Sequence, residues 1–135
     1  MIRHYQKGDC ERLLKQPHQS QEGDRDFMFD HEDTIVIEED DKVLLIFRPV
    51  FELGGRCTLV SYISQECGYK AVKLFKIMKP IIDNIANDCL RVECLTQTDF
   101  EPANRLVQML GFSFEGTMRK YYNGIDFNIW GRIKQ

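Results

Sequence analysis

Residues 104–128 read NRLVQMLGFSFEGTMRKYYNGIDFN. Three local signals are strung together here. Ala103, Leu106, Val107 and Leu110 recur at three- and four-residue steps, which is the buried face of a helix. Gly111 fits the left-handed position that ends helices. Two strand-like runs, FSFEGTMRKYY and IDFNIWGRI, then flank Asn123-Gly124, the strongest short signal for a hairpin. Pro102 suits the first turn of the helix, with Asp99 before it as a cap.

Outward toward the N-terminus, LRVECLT at 90–96 alternates. Leu90, Val92 and Cys94 fall on one face, Arg91 and Glu93 on the other, as in a strand. Before it, Ala71, Leu74, Phe75, Met78, Ile81 or Ile82, and Ile85 form one face of an amphipathic helix. Pro80 inside that helix is expected to kink or interrupt it, because proline lacks an N–H and crowds the preceding turn. RCTLVSYIS at 56–64, KVLLIFR at 42–48 and TIVIE at 34–38 read as strands, the middle one apolar enough to be covered on both faces. A strand over 1–5, a short helix in CERLLK and a loop with a second short helix over 17–33 complete the order β, α, α, β, β, β, α, β, α, β, β. That order predicts an α/β (α+β) fold, a mixed central sheet of about seven strands with helices on its faces.

The chain has 135 residues and no linker or repeat, which predicts one domain over 1–135 that needs no disulfide or metal staple. A net charge of −3 with scattered lysines and arginines gives no footprint for nucleic acid. The longest clean apolar run, VLLIF at 43–47, is far too short to span a bilayer, and MIRHYQKGD lacks the core of a signal peptide. Five cysteines without a C-x-x-C pair argue against a metal site or disulfide framework, and with the missing signal peptide for reduced thiols in a cytoplasmic protein.

The order of elements resembles the GNAT superfamily of acyl-CoA-dependent N-acetyltransferases. The motif-level likeness begins near residue 96. Ala103, Leu110-Gly111-Phe112, Glu115-Gly116, Arg119 and Asn123-Gly124 match the family in order and spacing. They are most similar to the branch that acetylates ribosomal-protein N-termini and its small relatives, some of them phage-encoded. Leu-Gly-Phe after a helix is, read by itself, a cap followed by a core aromatic. The resemblance implies a transfer of acetyl from acetyl-CoA to an amine of a protein N-terminus, a lysine or a small molecule, with a homodimer as an allowed assembly. It also implies a site for the acetyl group between strands 56–64 and 90–96.

In the family a Gln/Arg-x-x-Gly-x-Gly/Ala loop holds the cofactor pyrophosphate on backbone N–H groups at a helix N-terminus. Here SQECGYKA keeps Gln65 and Gly68, but Lys70 stands where a second small residue belongs, with Ala71 after it. The implied cofactor residues are Ile63 and Ser64 for the pantetheine arm, and Cys67, Gly68, Tyr69, Lys70 and Ala71 for the pyrophosphate. Lys70 could add charge to a phosphate or obstruct the backbone's approach. The tyrosine that many members use to protonate the leaving thiolate is Val107 here, and a common asparagine is Phe100. The remaining catalytic candidates have bland readings that are favoured over catalysis. Glu93 reads as a solvated carboxylate, Cys94 as a buried small residue and Tyr122, next to Tyr121, as cross-strand packing. His31 reads as an exposed loop residue, and EEDD at 38–41 as a solvated hairpin tip. The alternative function is a catalytically degenerate GNAT-like binding or structural protein, consistent with Lys70, Val107 and Phe100.

Overall fold

The computed structural model describes residues 1–14, 26–67 and 70–135. Seven strands form one sheet in the order β1-β2-β3-β4-β5-β7-β6. They are β1 (Ile2–His4), β2 (Ile35–Glu39), β3 (Lys42–Glu52), β4 (Arg56–Ile63), β5 (Arg91–Gln97), β6 (Ser113–Tyr122) and β7 (Ile125–Ile133). The helices are α1 (Asp9–Arg12), α2 (Asp26–Phe29), α3 (Ala71–Asp88) and α4 (Glu101–Met109), with a 3-10 turn at Gln65–Cys67. The predicted order and the mixed sheet are both found. The loop expected from residue 17 falls, through residue 25, outside the described residues.

The chain gathers into two compact units: Met1–Pro49 with Val60–Tyr69, and Val50–Leu59 with Lys70–Gln135. In the first unit, β1 and β3 pair antiparallel with either edge of β2. Val43 to Phe47 are all buried, as a strand covered on both faces requires. Cys10, Leu13, Phe29, Val36, Val43, Ile46 and Tyr62 form the core, with the Phe29 and Tyr62 rings 5.2 Å apart. One carboxylate sits beside this core. Asp9 has only 2% of its side chain exposed, and the Arg3 guanidinium grips it with two hydrogen bonds of 2.7 and 2.9 Å. The Gln6 N–H adds a third at 2.7 Å. Arg3 and Arg12 also both donate to Glu38. The acidic tip is therefore not simply solvated, as the sequence suggested, because Glu38 turns back to anchor β1 and α1.

The second unit is built on β5 and β7, which pair antiparallel from Arg91↔Ile133 to Gln97↔Phe127. Beside β7 lies β6, joined through a turn in which Asn123 and Gly124 both take positive φ. That is the hairpin geometry the Asn-Gly pair is suited to. Leu74, Met78, Ile82 and Ala86 of α3 are buried, and so are Ala103, Leu106 and Leu110 of α4. Gly111 at φ 93 ends α4 as expected. Arg132 of β7 donates to Asp83 of α3 (2.7 Å) and to the Leu110 carbonyl at the end of α4 (3.0 Å), tying strand and helices together. Arg91 and Glu115 form a two-pronged pair (2.8 and 2.6 Å) across Gly131, where a Cβ would come within 2.5 Å of the Glu115 carboxylate. The absence of a side chain at 131 makes room for that pair.

Three local expectations are corrected. Pro80 does not interrupt α3, which runs unbroken from Ala71 to Asp88. Pro80 and Lys76 are both exposed, so the carbonyl that loses its helical partner is on the solvent side. Asp99 does not cap α4. Phe100 occupies the cap position without a side-chain bond, and Pro102 lies in the first turn as expected. Leu90 is not part of the buried face of β5. It precedes the strand, is 64% exposed and lies against Gly55, whose carbonyl accepts its N–H at 2.7 Å.

Asp9 generates a pH prediction. Burial alone would raise its pKa, but the bonds from Arg3 and Gln6 outweigh it and hold the carboxyl below its usual value. A lowered folded-state pKa gives stabilisation that is full above the ordinary carboxylate range and lost as pH falls through the lowered value. Asp9→Asn should therefore cost about 2 kcal/mol at neutral pH. Urea unfolding across a pH series should show wild type and variant converging in acid. A gap that does not change with pH would mean the ion pair is not its source.

Candidate functional site

The sheet changes character along β5. Its pairing with β4 is parallel and runs from Arg56↔Arg91 to Leu59↔Cys94. Its pairing with β7 extends three residues further, to Gln97. The direction of the backbone groups follows from alternation. Arg91 N–H donates to Gly55 on the β4 side, whereas Thr98 N–H donates to Asp126 on the β7 side. Odd-numbered residues of β5 thus turn their backbone groups away from β7. Past the last paired residues, the Leu95 carbonyl and the Gln97 N–H face an edge to which β4 contributes no registered partner.

Following β4, the backbone folds into a tight turn. Ser64 N–H donates to Leu44 O (2.8 Å), Gln65 N–H to Leu14 O (2.9 Å), and Glu66 N–H to the Ser64 hydroxyl (3.0 Å). Cys67 N–H returns to Ser64 O, and its thiol reaches Leu44 O. The donors of Ser64 to Cys67 are thus committed within the first unit. Gly68 and Tyr69 lie outside the described residues. Lys70 occupies the N-cap of α3 with no side-chain cap, Ala71 begins the helix, and the first turn holds no acidic residue. Leu74 N–H donates to Lys70 O, and the first turn of α3 carries the positive end of the helix dipole.

The catalytic candidates take up ordinary structural roles. Glu93 accepts from Arg91 Nε at 3.2 Å and lies 3.9 Å from Arg56 Nε, opposite Thr58 where β4 and β5 are still paired. It is an ion-paired carboxylate. Cys94 is 7% exposed, and burial, with the Glu93 charge beside it, pushes its pKa up to about 12. Cys57 is pushed to about 12 as well, first by burial and then by the neighbouring Cys89. Tyr122 sits opposite Ile125 at the hairpin, and the adjacent Tyr121 packs edge-on against Phe127 at 5.7 Å. His31 accepts the Asp33 N–H at Nδ1 (3.0 Å) in an exposed loop. The positions that depart from the family pattern differ in setting, Phe100 heading α4 and Val107 half-buried on it. Among the described residues, no three His, Cys, Asp or Glu side chains are placed to hold a metal ion. No helix among them is long and apolar enough to cross a membrane.

The sequence reading missed a buried polar network. Trp130 Nε1 donates to the Thr96 hydroxyl (2.7 Å), which donates to Asn104 Oδ1 (2.5 Å). Asn104 Nδ2 donates to the Thr98 carbonyl (3.1 Å), and Asn128 Nδ2 reaches Asn104 Oδ1 at 3.4 Å. The Thr117 hydroxyl closes the chain onto Asn128 Oδ1 (3.0 Å). The usable signal was positional. Thr96 continues the buried alternation of Val92 and Cys94, and Asn104 falls beside Ala103 on the buried stripe of α4.

No family model matches the sequence, and no curated protein matches it. Solved structures do. An acetyltransferase of the GNAT family from Streptococcus pneumoniae superposes with a TM-score of 0.71 at 16% identity, covering 100% of this chain and 99% of the other. Ard1 from Thermoplasma volcanium gives 0.74 at 15% identity, over 100% and 97%. The ribosomal-protein-S18-alanine N-acetyltransferase from Escherichia coli gives 0.70 at 14% identity, over 100% and 94%. The chain has the fold of the GNAT N-acetyltransferases, as its motifs suggested.

The environment of the cysteines makes a prediction. All five are buried, and two are held as thiols far above neutral pH. A disulfide reagent near neutral pH should leave the native protein unmodified and titrate all five once it is unfolded in guanidinium. A native thiol that reacts at once would contradict this assignment of Cys94 and its neighbours to the core.

Proposed function

We propose that the protein is an N-acetyltransferase that moves an acetyl group from acetyl-CoA to an amine of a protein N-terminus, a lysine or a small molecule. The observation that carries the reading is the early end of the β4–β5 pairing, at Leu59↔Cys94, within a GNAT fold. A sheet of this kind offers backbone hydrogen-bonding groups to a ligand in mid-sheet without breaking any pairing.

In this proposal the loop from Ile63 to Ala71 holds the cofactor. The N-terminus of α3 supplies the positive end for the pyrophosphate, and Lys70 supplies a full charge. The pantetheine arm follows the backbone near Ile63 and Ser64. Because the Ser64 N–H is already donated to Leu44, Ser64 would take part through its carbonyl. The acceptor amine, once neutral, attacks the thioester carbon. A C–N bond forms, the C–S bond breaks, CoA leaves as thiolate, and the amine proton passes to solvent or to a side chain. The candidates for that last role are limited. Glu93 is engaged by Arg91, Cys94 is held as a neutral thiol, and Tyr122 is the phenol at the hairpin. The rate would then come chiefly from holding amine and thioester together and from backbone donors at the developing oxyanion. The chemistry suits a cytoplasmic protein with reduced thiols.

A second reading, a GNAT-fold binding module without turnover, is favoured by Val107 in place of the thiolate-protonating tyrosine and by Lys70 in the loop. Calorimetric titration with acetyl-CoA, followed by a turnover assay, separates the two. We expect micromolar binding to wild type and none to Gly68→Asp, whose carboxylate would repel a phosphate, with the variant still folded. Binding without acetyl transfer to any amine would establish the module. No binding to wild type would reject the acetyltransferase reading and favour a degenerate GNAT-fold binding or structural protein.

A further inference from the structure

We infer that Thr96, Asn104, Asn128 and Trp130 form a positioning network that holds the one-sided end of β5, and so the arm of the bound ligand, in place. The inference rests on the acetyltransferase reading. Elsewhere the buried face of β5 is apolar, with Val92 and Cys94 in the preceding inward positions. At Thr96 it becomes polar, two residues past the last pair with β4. The side chains meeting there come from three elements: Thr96 from β5, Asn104 from α4, and Asn128 and Trp130 from β7.

The hydrogen-bond geometry restrains this stretch of β5 from more than one direction. The Thr96 hydroxyl accepts from Trp130 and donates to Asn104, so one side chain ties β5 to both its neighbouring strand and the helix across its face. Asn104 then fixes the Thr98 carbonyl, which is the point where the chain leaves the strand. The two residues flanking Thr96, Leu95 and Gln97, carry the backbone groups that face the unpaired edge. A strand edge with free groups tends to bend toward any available partner. A network of satisfied buried bonds resists that motion with a directionality that apolar packing lacks. Residues one step behind a binding surface act on affinity by fixing the groups that touch the ligand.

The test compares two ligands and three variants. CoA carries the pantetheine arm. Phosphoadenosine diphosphate is CoA without that arm, and so probes the loop and the helix N-terminus alone. Thr96→Val keeps shape but removes the hydroxyl, Trp130→Phe removes one donor, and Thr96→Ser restores the hydroxyl. For folded Thr96→Val we expect CoA affinity to fall by about tenfold while affinity for the armless fragment stays at the wild-type level. Thr96→Ser should recover CoA binding, and Trp130→Phe should fall between wild type and Thr96→Val. Equal CoA affinity in Thr96→Val and wild type would overturn the inference, and so would parallel loss of both ligands. Should Thr96→Val not fold, Trp130→Phe carries the same comparison. Wild type that binds neither ligand would remove the acetyltransferase reading itself, and this inference with it.

Discussion

The structure depends on the unequal treatment of the two edges of β5. Toward β7 the strand is paired along its whole length, whereas toward β4 the registered pairs stop at Leu59↔Cys94. Backbone hydrogen-bonding groups inside a fold are nearly always satisfied. Among the described residues, the stretch of β5 past Cys94 has no registered strand partner for its outward groups, and the proposed reading gives that place to a ligand. The stretch is braced by a polar network in which each key member is bonded, and the helix that follows β4 begins without an acidic residue near its positive end.

Electrostatics in the rest of the fold are structural. Arg3, Arg91 and Arg132 each hold a carboxylate through short hydrogen bonds, and Arg91 and Arg132 reach residues distant in sequence, as Arg3 does through Glu38. Of their partners only Asp9 is fully buried, so it alone is expected to weigh heavily on stability; partly exposed pairs are worth little. Glu93 is ion-paired with Arg91, and burial raises the pKa of the Cys94 thiol. The proposed acetyl transfer would then depend chiefly on positioning.

Much of this was legible in the sequence because it depends on local chemistry. The helix stripe ending at Gly111, the Asn-Gly turn and the apolar run at 43–47 each specify their own conformation. The parts that were not legible depend on distant partners. Arg3 and Arg12 stand near Asp9 in the sequence, but nothing there announces that Glu38, far along the chain, turns back to meet both arginines. Pro80 looked disruptive because its effect was judged without knowing which side of α3 meets solvent. Asn104 looked like an ordinary helix residue until β5 and β7 placed Thr96 and Asn128 against it. At the loop, Gln65 and Gly68 could be matched to a pattern, but the commitment of the Ser64 to Cys67 donors could not be foreseen.

The central claim is that β5 past Cys94 is paired on one side only, and amide hydrogen exchange measured residue by residue by NMR addresses it directly. Thr98 N–H is bonded to Asp126, Thr96 N–H turns toward β7, and Gln97 N–H turns to the unpaired edge. The account predicts slow exchange at Thr96 and Thr98 and much faster exchange at Gln97 between them, a pattern that fraying from the strand end would not give. Protection of Gln97 equal to that of its two neighbours would mean the edge is closed, and the proposed site would have no place in the sheet.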